Sequence, residues 1–396
     1  MKGLRIVVLG YVVRGPLGGM VWSNLQFLRG LRRLGHEAYF LEHGDNYASC
    51  YDPSRNVLDT DPSYGLRFAA AAFDRIDLDG RWAYFDTRID QWVGPAAHRI
   101  RDVVGDADLV LNLCGVNRIH PWLLDVPARV LVDEDPAFTQ VRHLNDATAR
   151  EQAATHTAFF SFGENFGRSE GRIPDDGFPW QPTRQPLVLE SVPVSTGKPQ
   201  GRYTTVMLWD SYPKPTRHAG IEYGHKSKSF QPYLDLPKRA NAPFEFAIGG
   251  HPPRDLLKAN GWKLKSPLAV SKDPGTYEGF IRRSKAEFSI AKHGYVVSRC
   301  GWFSERSVTY LATGRPVVVE NTGFSRWMDT GRGVLTFSNR EEAIAAIAEI
   351  ETAYETHCRT AREIAEAYFD SDKVLPSLLE RALNPVQKAV HAHAGS

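Results

Sequence analysis

The run Ser298-Arg-Cys-Gly-Trp-Phe-Ser-Glu-Arg-Ser-Val-Thr-Tyr-Leu-Ala-Thr-Gly-Arg-Pro-Val-Val-Val-Glu-Asn-Thr-Gly-Phe324 reads as a loop, a helix, a turn, a strand and a second loop. Ser304 suits an N-cap, because its hydroxyl can accept a hydrogen bond from an orphan amide of the first helical turn. Val308, Leu311 and Ala312 recur at helical spacing and give the helix one apolar face. Gly314 ends it, since glycine enters left-handed backbone dihedrals without a side-chain clash. Pro316 blocks continuation. Val317 to Val319 is a β-branched run of the kind buried in a parallel sheet. The start of such a helix combines free amides with the positive end of its dipole, so it favours an anion. Ser304 and Ser307 add hydroxyl donors there. The same residues also fit an ordinary α/β unit with a well-capped helix.

Outward from this stretch, strands and helices keep alternating. Arg5 to Tyr11 holds the apolar run Ile6-Val7-Val8-Leu9. Arg14-Gly-Pro-Leu-Gly-Gly19 follows, and then a helix from Met20 to Leu34 that buries Val21, Leu25, Leu28 and Leu31. Gly35 ends it before a second strand, Ala38 to Leu41. Strand, Gly-rich loop, helix and strand make a Rossmann-like unit. Gly10, Gly15, Gly18 and Gly19 do not form G-x-G-x-x-G, and only Glu42 stands near the register of the ribose-binding acid. Further strands are expected at Trp82–Phe85, Leu109–Leu113, Arg129–Val132 and Phe159–Phe162. A second series runs through Thr204–Leu208, Phe244–Ile248 and Ala286–Ala291 to Val317–Val319. Tyr47–Tyr64 and Gly163–Gln185 read as long loops, and Glu341–His357 as one long helix. Alternation of this kind predicts an α/β chain of two doubly wound sheets.

The pattern resembles the GT-B type of nucleotide-sugar-dependent glycosyltransferase. Ala312-Thr313-Gly314-Arg315-Pro316-Val317-Val318 is similar to that family's small-residue-Gly turn and strand, and Thr322-Gly323-Phe324 to the loop after it. Gly18-Gly19, the following helix and Gly35-His36-Glu37 resemble the family's opening. The resemblance implies two Rossmann-like domains facing each other across a cleft, with sugar transfer from a nucleotide-diphosphate donor. It implies a donor site at Ser304, Glu305, Ser307, Thr322 and Gly323, and a sugar-facing loop at Gly18 and Gly19. It also implies a diphosphate-neutralising Lys226 or Lys228. These lie in Lys214–Arg239, which holds six Lys or Arg against two acids and otherwise reads as a solvated basic face. One departure stands out. Many members carry a ribose-binding Glu five residues before the Gly, and here that position is Thr309, with Glu305 one helical turn earlier.

An inverting member of the family needs a general base on the N-terminal side. His43, His120, Asp133 and Asp135 are the candidates. His43 leads, because it follows the second strand and neutral imidazole accepts a proton near neutral pH. Asp45 or Asp133 would orient it. A retaining member needs no such base. The triplet Asp133-Glu134-Asp135 also invites a divalent cation. The resemblance is to the metal-independent class, so no metal and no resident cofactor are expected. A nucleotide-sugar epimerase of the same architecture would react without an acceptor. A catalytically inactive binding protein would hold nucleotide without turnover.

Composition sets outer bounds. At 396 residues, two domains are favoured over one. The expected division is 1–194 on the acceptor side, a linker at 195–203, a nucleotide-sugar domain at 204–370, and a C-terminal helix at 371–396 that crosses back. A formal net charge of +2 argues for neither a nucleic-acid nor a membrane partner. A DNA-modifying transferase would call for a more basic cleft. The four cysteines have neither metal nor redox spacing, which suits a cytoplasmic protein with reduced thiols. No apolar run approaches the roughly 18 residues that span a bilayer. The run Ile6–Val13 leads into a Gly-rich loop and an amphipathic helix, so it reads as a first strand and not as a signal peptide. The partners implied are a nucleotide sugar and an acceptor whose identity, like the oligomeric state, is not readable.

Overall fold

The computed structural model describes residues 3–44, 49–196, 199 and 201–394, with side chains described as far as residue 384. Two sheets carry the fold. The first has eight strands in the spatial order Trp180–Pro182, Ala158–Ser161, Ala128–Asp133, Leu109–Leu113, Arg5–Leu9, Glu37–His43, Trp82–Asp86 and Gln91–Val93. All run parallel except the last, a hairpin return on Trp82–Asp86. Ile6 pairs with Ala38 on one side and Leu109 on the other, which sets the register. The second sheet is wholly parallel, in the order Lys263–Lys265, Phe244–Gly249, Tyr203–Leu208, Ala286–Ser289, Val317–Glu320 and Val334–Phe337. Each sheet is doubly wound: its first strand lies inside, and the order reverses beside it.

Burial explains why these segments are strands. Ile6, Val7 and Val8 are completely inaccessible, as are Val317 and Val318, which is the continuous apolar reading of strands covered on both faces. The helix Ser371–Ala394 returns to the first sheet, where Leu375, Leu378, Leu379 and Ala382 join the same core as Ile6 and Leu28. Gly30 permits this approach, because a Cβ there would stand 2.5 Å from Leu375 Cδ1.

Some expectations need correction. The long loop after the second strand contains a hairpin, Cys50–Asp52 with Val57–Asp59, while Tyr47 and Asp45 lie outside the described residues. The Gly163–Gln185 loop contains the edge strand Trp180–Pro182. The helix expected over Glu341–His357 is two helices, Arg340–Thr352 and Tyr354–Tyr368, broken at Ala353 with φ −132° and ψ 39°. In the linker, Gly197, Lys198 and Gln200 lie outside the described residues, and Ser195 donates its amide to Thr313 O at 2.9 Å. Among the described residues, no helix is long and apolar enough to cross a membrane.

Candidate functional site

Strand ends from both sheets converge on a cavity of about 700 Å³. Cys114 follows the strand Leu109–Leu113, and Asp133 to Asp135 end or follow Ala128–Asp133. From the other sheet, Tyr212 and Lys214 follow Tyr203–Leu208, and Lys292 follows Ala286–Ser289. These are carboxyl ends next to the reversal of strand order, where doubly wound sheets present their crevice. Cys114 on this wall and Ala137, the neighbour of the lining residue Phe138, hold positive φ of 58° and 71°. Left-handed strain at non-glycine residues clusters at functional sites.

The three acids of the triplet have different surroundings. Asp133 is buried and accepts from Thr139 Oγ1 at 2.7 Å, Ser161 Oγ at 2.8 Å, Gln140 Nε2 at 3.1 Å and its neighbour's amide, Asp135 N, at 2.8 Å. Burial pushes its carboxyl up against those hydrogen bonds. With both oxygens engaged it shapes the turn and is poorly placed as the base expected of it. Asp135 accepts from Lys292 Nζ at 2.9 Å on each oxygen, and from the hydroxyls of Tyr212 and Tyr295. Burial alone would raise it; Lys292 and the two hydroxyls outweigh that and hold it below the ordinary carboxylate range. Among the described residues, the Glu134 carboxyl has only the Cys114 thiol and a long 3.4 Å bond from Ser23 Oγ. Burial, reinforced by the charge of Glu305, pushes its carboxyl up to about 7. It is the one member of the triplet poised to exchange a proton near neutral pH.

The opposite wall is cationic. Arg306, in the first turn of the helix Glu305–Ala312, is buried and donates to Glu287 Oε1 at 2.6 Å, Ser289 Oγ at 2.6 Å and Val206 O at 2.8 Å. Lys292 lies about 5 Å from the ring centres of Phe138, Tyr212 and Tyr295. Lys226 is only 9% exposed, and its ammonium has no hydrogen-bond or ion-pair partner among the described residues. Burial, with Arg306 and Lys292 nearby, brings it down to about 7.

Other expected site residues are distributed unevenly. Ser304 caps its helix, accepting from Arg306 N at 3.3 Å, and lines the cavity with Glu305. Ser307 faces a small separate void beside Glu320. Thr309 is fully buried and donates its hydroxyl to Glu305 O at 3.0 Å, so it presents nothing to a ligand. Thr322 donates to Trp302 O, and Gly323 O accepts from Asn165 Nδ2 at 3.1 Å, so that loop holds the two halves together.

Three further placements differ from expectation. Gly18 abuts the backbone of Asp273, and Gly19 donates its amide to Ser271 Oγ at 2.7 Å. The Gly-rich loop is thus a domain contact, because only hydrogen side chains let the two backbones meet. Lys228 pairs with Glu222 at 2.9 Å on the surface and does not line the cavity. The His43 and His120 rings lie 4.0 Å apart, tilted by 38°, and Phe85 stacks on His43, in an aromatic cluster outside the cavity lining. Glu42, out of register for a ribose-binding acid, gathers the amides of Val12, Val13 and Arg14 at 2.7–3.0 Å and the Arg14 guanidinium at 3.0 Å.

Glu134 was noted only within an acidic triplet, and Lys292, Arg306 and the two tyrosines were not singled out in the sequence. The signal available for Lys292 and Tyr212 was position: each follows a strand flanking the point where the order reverses. Arg306 is visible in the opening run, but nothing local marks it as turned inward.

No family model and no curated protein matches the sequence. Solved structures match along nearly its whole length. An alpha-glucosyltransferase in complex with UDP and a 13-mer DNA superposes with TM-score 0.57 and 10% identity, over 96% of this chain and 100% of its own. HepE of Anabaena in complex with UDP and glucose gives 0.55 at 10% identity, over 96% and 99%. The fold is GT-B. A glycosyltransferase from Rickettsia africae agrees, with TM-score 0.53 and 10% identity over 98% and 100%. At such identity the likeness is one of architecture. Within this GT-B frame the two halves contribute unlike walls to the cavity, with Asp133, Glu134, Asp135 and Asp146 beside Arg142 from the first and Lys214, Lys226, Lys292 and Arg306 beside Glu305 from the second.

Proposed function

We propose that the protein is a glycosyltransferase that moves a sugar from a nucleotide-diphosphate donor to an acceptor. The observation that carries this reading is Lys226. A buried cation without a countercharge is costly unless a ligand supplies one. Lys226 stands beside Arg306 and Lys292 in a cavity open to solvent. A diphosphate meets Lys226 together with Arg306 and Lys292, which already pair with Glu287 and Asp135, and the attraction grows as the leaving group gains charge in the transition state. Ser304 and the helix start add donors to the same anion. Glu305 stands for the ribose-binding acid, since it lines the cavity and Thr309 does not. Glu134 exchanges the acceptor proton. The chemistry is read as metal-independent, because the oxygens of Asp133 and Asp135 already have protein donors.

The neighbours that hold UDP make UDP and its sugars the first compounds to test. A ligand at one hundred times its Kd stabilises the native state by about 2.7 kcal/mol, so thermal melting is a sensitive readout. UDP or another nucleotide diphosphate is expected to raise Tm in the wild type and not in Lys226→Met. A protein that melts at one temperature with every nucleotide diphosphate and nucleotide sugar would end this reading.

A further inference from the structure

A second, polar cavity of about 310 Å³ adjoins the first and shares Cys114, Asp133, Thr139, Arg142 and Asp146 with it. Its size is at the lower end for small-molecule sites. One wall is the loop after Leu109–Leu113, which carries Arg118. The other is formed by the helices Phe138–Asn145 and Ala147–Ala154, with Arg142, Thr148 and Gln152. The floor is braced from below. Asn112 is fully buried and donates to Asn117 O at 2.8 Å, with His156 Nε2 at 3.0 Å from the same amide nitrogen. His156 Nδ1 lies 3.0 Å from Ala153 O and must donate to it. Nε2 then accepts from Asn112, so the ring is neutral and adds no charge.

The rim is not neutral. Neither the Arg118 nor the Arg142 guanidinium has a side-chain hydrogen bond or ion pair among the described residues, and both line this cavity. Asp146 is the only exposed carboxylate in the lining among the described residues, and one of its oxygens accepts from Ala149 N at 3.2 Å. Asp133 has both oxygens engaged by protein donors. The annex is therefore lined by polar groups, sets two guanidiniums without side-chain partners among the described residues on its rim beside the exposed carboxylate of Asp146, and adjoins the cavity that Glu134 lines.

We propose that this annex holds an anionic group of the acceptor, a carboxylate, sulfate or phosphate on a molecule of sugar size, through Arg118 and Arg142. The inference rests on the transfer reading of the main cavity, because the annex extends from the acid wall where an acceptor would present its hydroxyl. Guanidinium suits this role, since its planar fork matches carboxylate and phosphate oxygens.

The test is binding of four probes to the full chain, by NMR titration, with and without UDP: methyl β-glucuronide, glucose 6-sulfate, glucose 6-phosphate and neutral methyl β-glucoside. At least one anionic probe is expected to bind about tenfold or more tightly than the glucoside, the scale of one charge-assisted hydrogen bond. The arm that wins identifies the anion. The preference should vanish in Arg118→Glu, survive in Arg118→Lys, and weaken as salt is raised. Equal affinity for all four probes, no anionic binding at millimolar concentration, or a preference that persists in Arg118→Glu each overturns the proposal. Melting with UDP in the same samples separates the two readings. A UDP response without anion preference removes the annex alone; anion preference without a UDP response removes the donor reading and with it the acceptor role of the annex, leaving an anion site.

Discussion

Lys292 reaches from the C-terminal half and sets its ammonium 2.9 Å from both carboxylate oxygens of Asp135 in the N-terminal half. Three aromatic rings surround that ammonium, and two of them, Tyr212 and Tyr295, also donate to Asp135. The pair joins the two walls of the cleft at one point. Asp135→Asn should lower stability by about 1–3 kcal/mol, the cost of leaving a charged donor without its acceptor. The folded carboxyl lies below its unfolded value, so its contribution is present above about pH 4 and lost as pH falls through the folded pKa. The gap between variant and wild type in urea titrations should accordingly be full at pH 7 and narrow below pH 4. A variant as stable as wild type at pH 7 would show that the pair does not join the halves.

Glu134 should behave in the opposite way. Its folded carboxyl is pushed up to about 7 from 4.5, so between those values the folded state keeps a proton that the unfolded state has lost. Stability contributed by Glu134 therefore falls as pH rises through that window. Glu134→Gln should melt higher than wild type at pH 8, with the difference closing toward pH 4. If Glu134 exchanges the acceptor proton, the same variant should lose about 10²–10⁴-fold in turnover while nucleotide affinity stays near wild type. Turnover within a few-fold of wild type would return the search for the base to His43 and His120.

The sheets were legible because their strands are apolar without interruption, as in Ile6–Leu9 and Val317–Val319. The helix over Glu305–Ala312 was legible from its Ser304 cap and Gly314 stop. The site was less so, because its parts are brought together from distant positions. Lys292 and Asp135 are 157 residues apart. Local pattern marked Lys226 and Lys228 alike as basic, yet one is buried at the cleft and the other pairs with Glu222. Pattern also cannot tell a glycine that admits a ligand from one that admits another backbone, and that was the error at Gly18.

Gly18 gives a direct test of the domain contact. A Cβ there would lie 2.1 Å from Asp273 O and 2.8 Å from Pro274 N, both rigid backbone atoms. Gly18→Ala must push the helix Gly18–Arg33 away from Pro274–Arg283 and strain the Gly19–Ser271 bond. Overpacking of this kind costs about 1–3 kcal/mol. The variant is expected to unfold at lower urea and to bind nucleotide more weakly, since the cleft walls separate. A Gly18→Ala protein with unchanged midpoint would mean that the two helices can shift freely, and that the loop is not a fixed contact.

Lys226 couples the proposed donor site to pH. Burial and its two cationic neighbours bring its ammonium down to about 7 from 10.5. The unfolded chain therefore binds more protons between those values, and stability should rise with pH across that window. Lys226→Met lacks this slope and should be more stable than wild type at pH 7. Binding has the opposite dependence. Only the protonated form offers a diphosphate its third cation, and apparent affinity scales with the competent fraction. With a value near 7 that fraction falls about tenfold from pH 6 to pH 8, so affinity for UDP-glucose should fall by about the same factor. A nucleotide sugar carries no phosphate that titrates in this range, so the slope reports the protein. Binding should also take up about half a proton at pH 7, measurable by calorimetry in two buffers of different ionisation enthalpy. Lys226→Met should bind weakly at every pH and take up none. A wild-type affinity that is flat from pH 6 to pH 8, with no proton uptake, would mean that Lys226 does not face the phosphates, and the cationic wall would then reduce to Lys292 and Arg306.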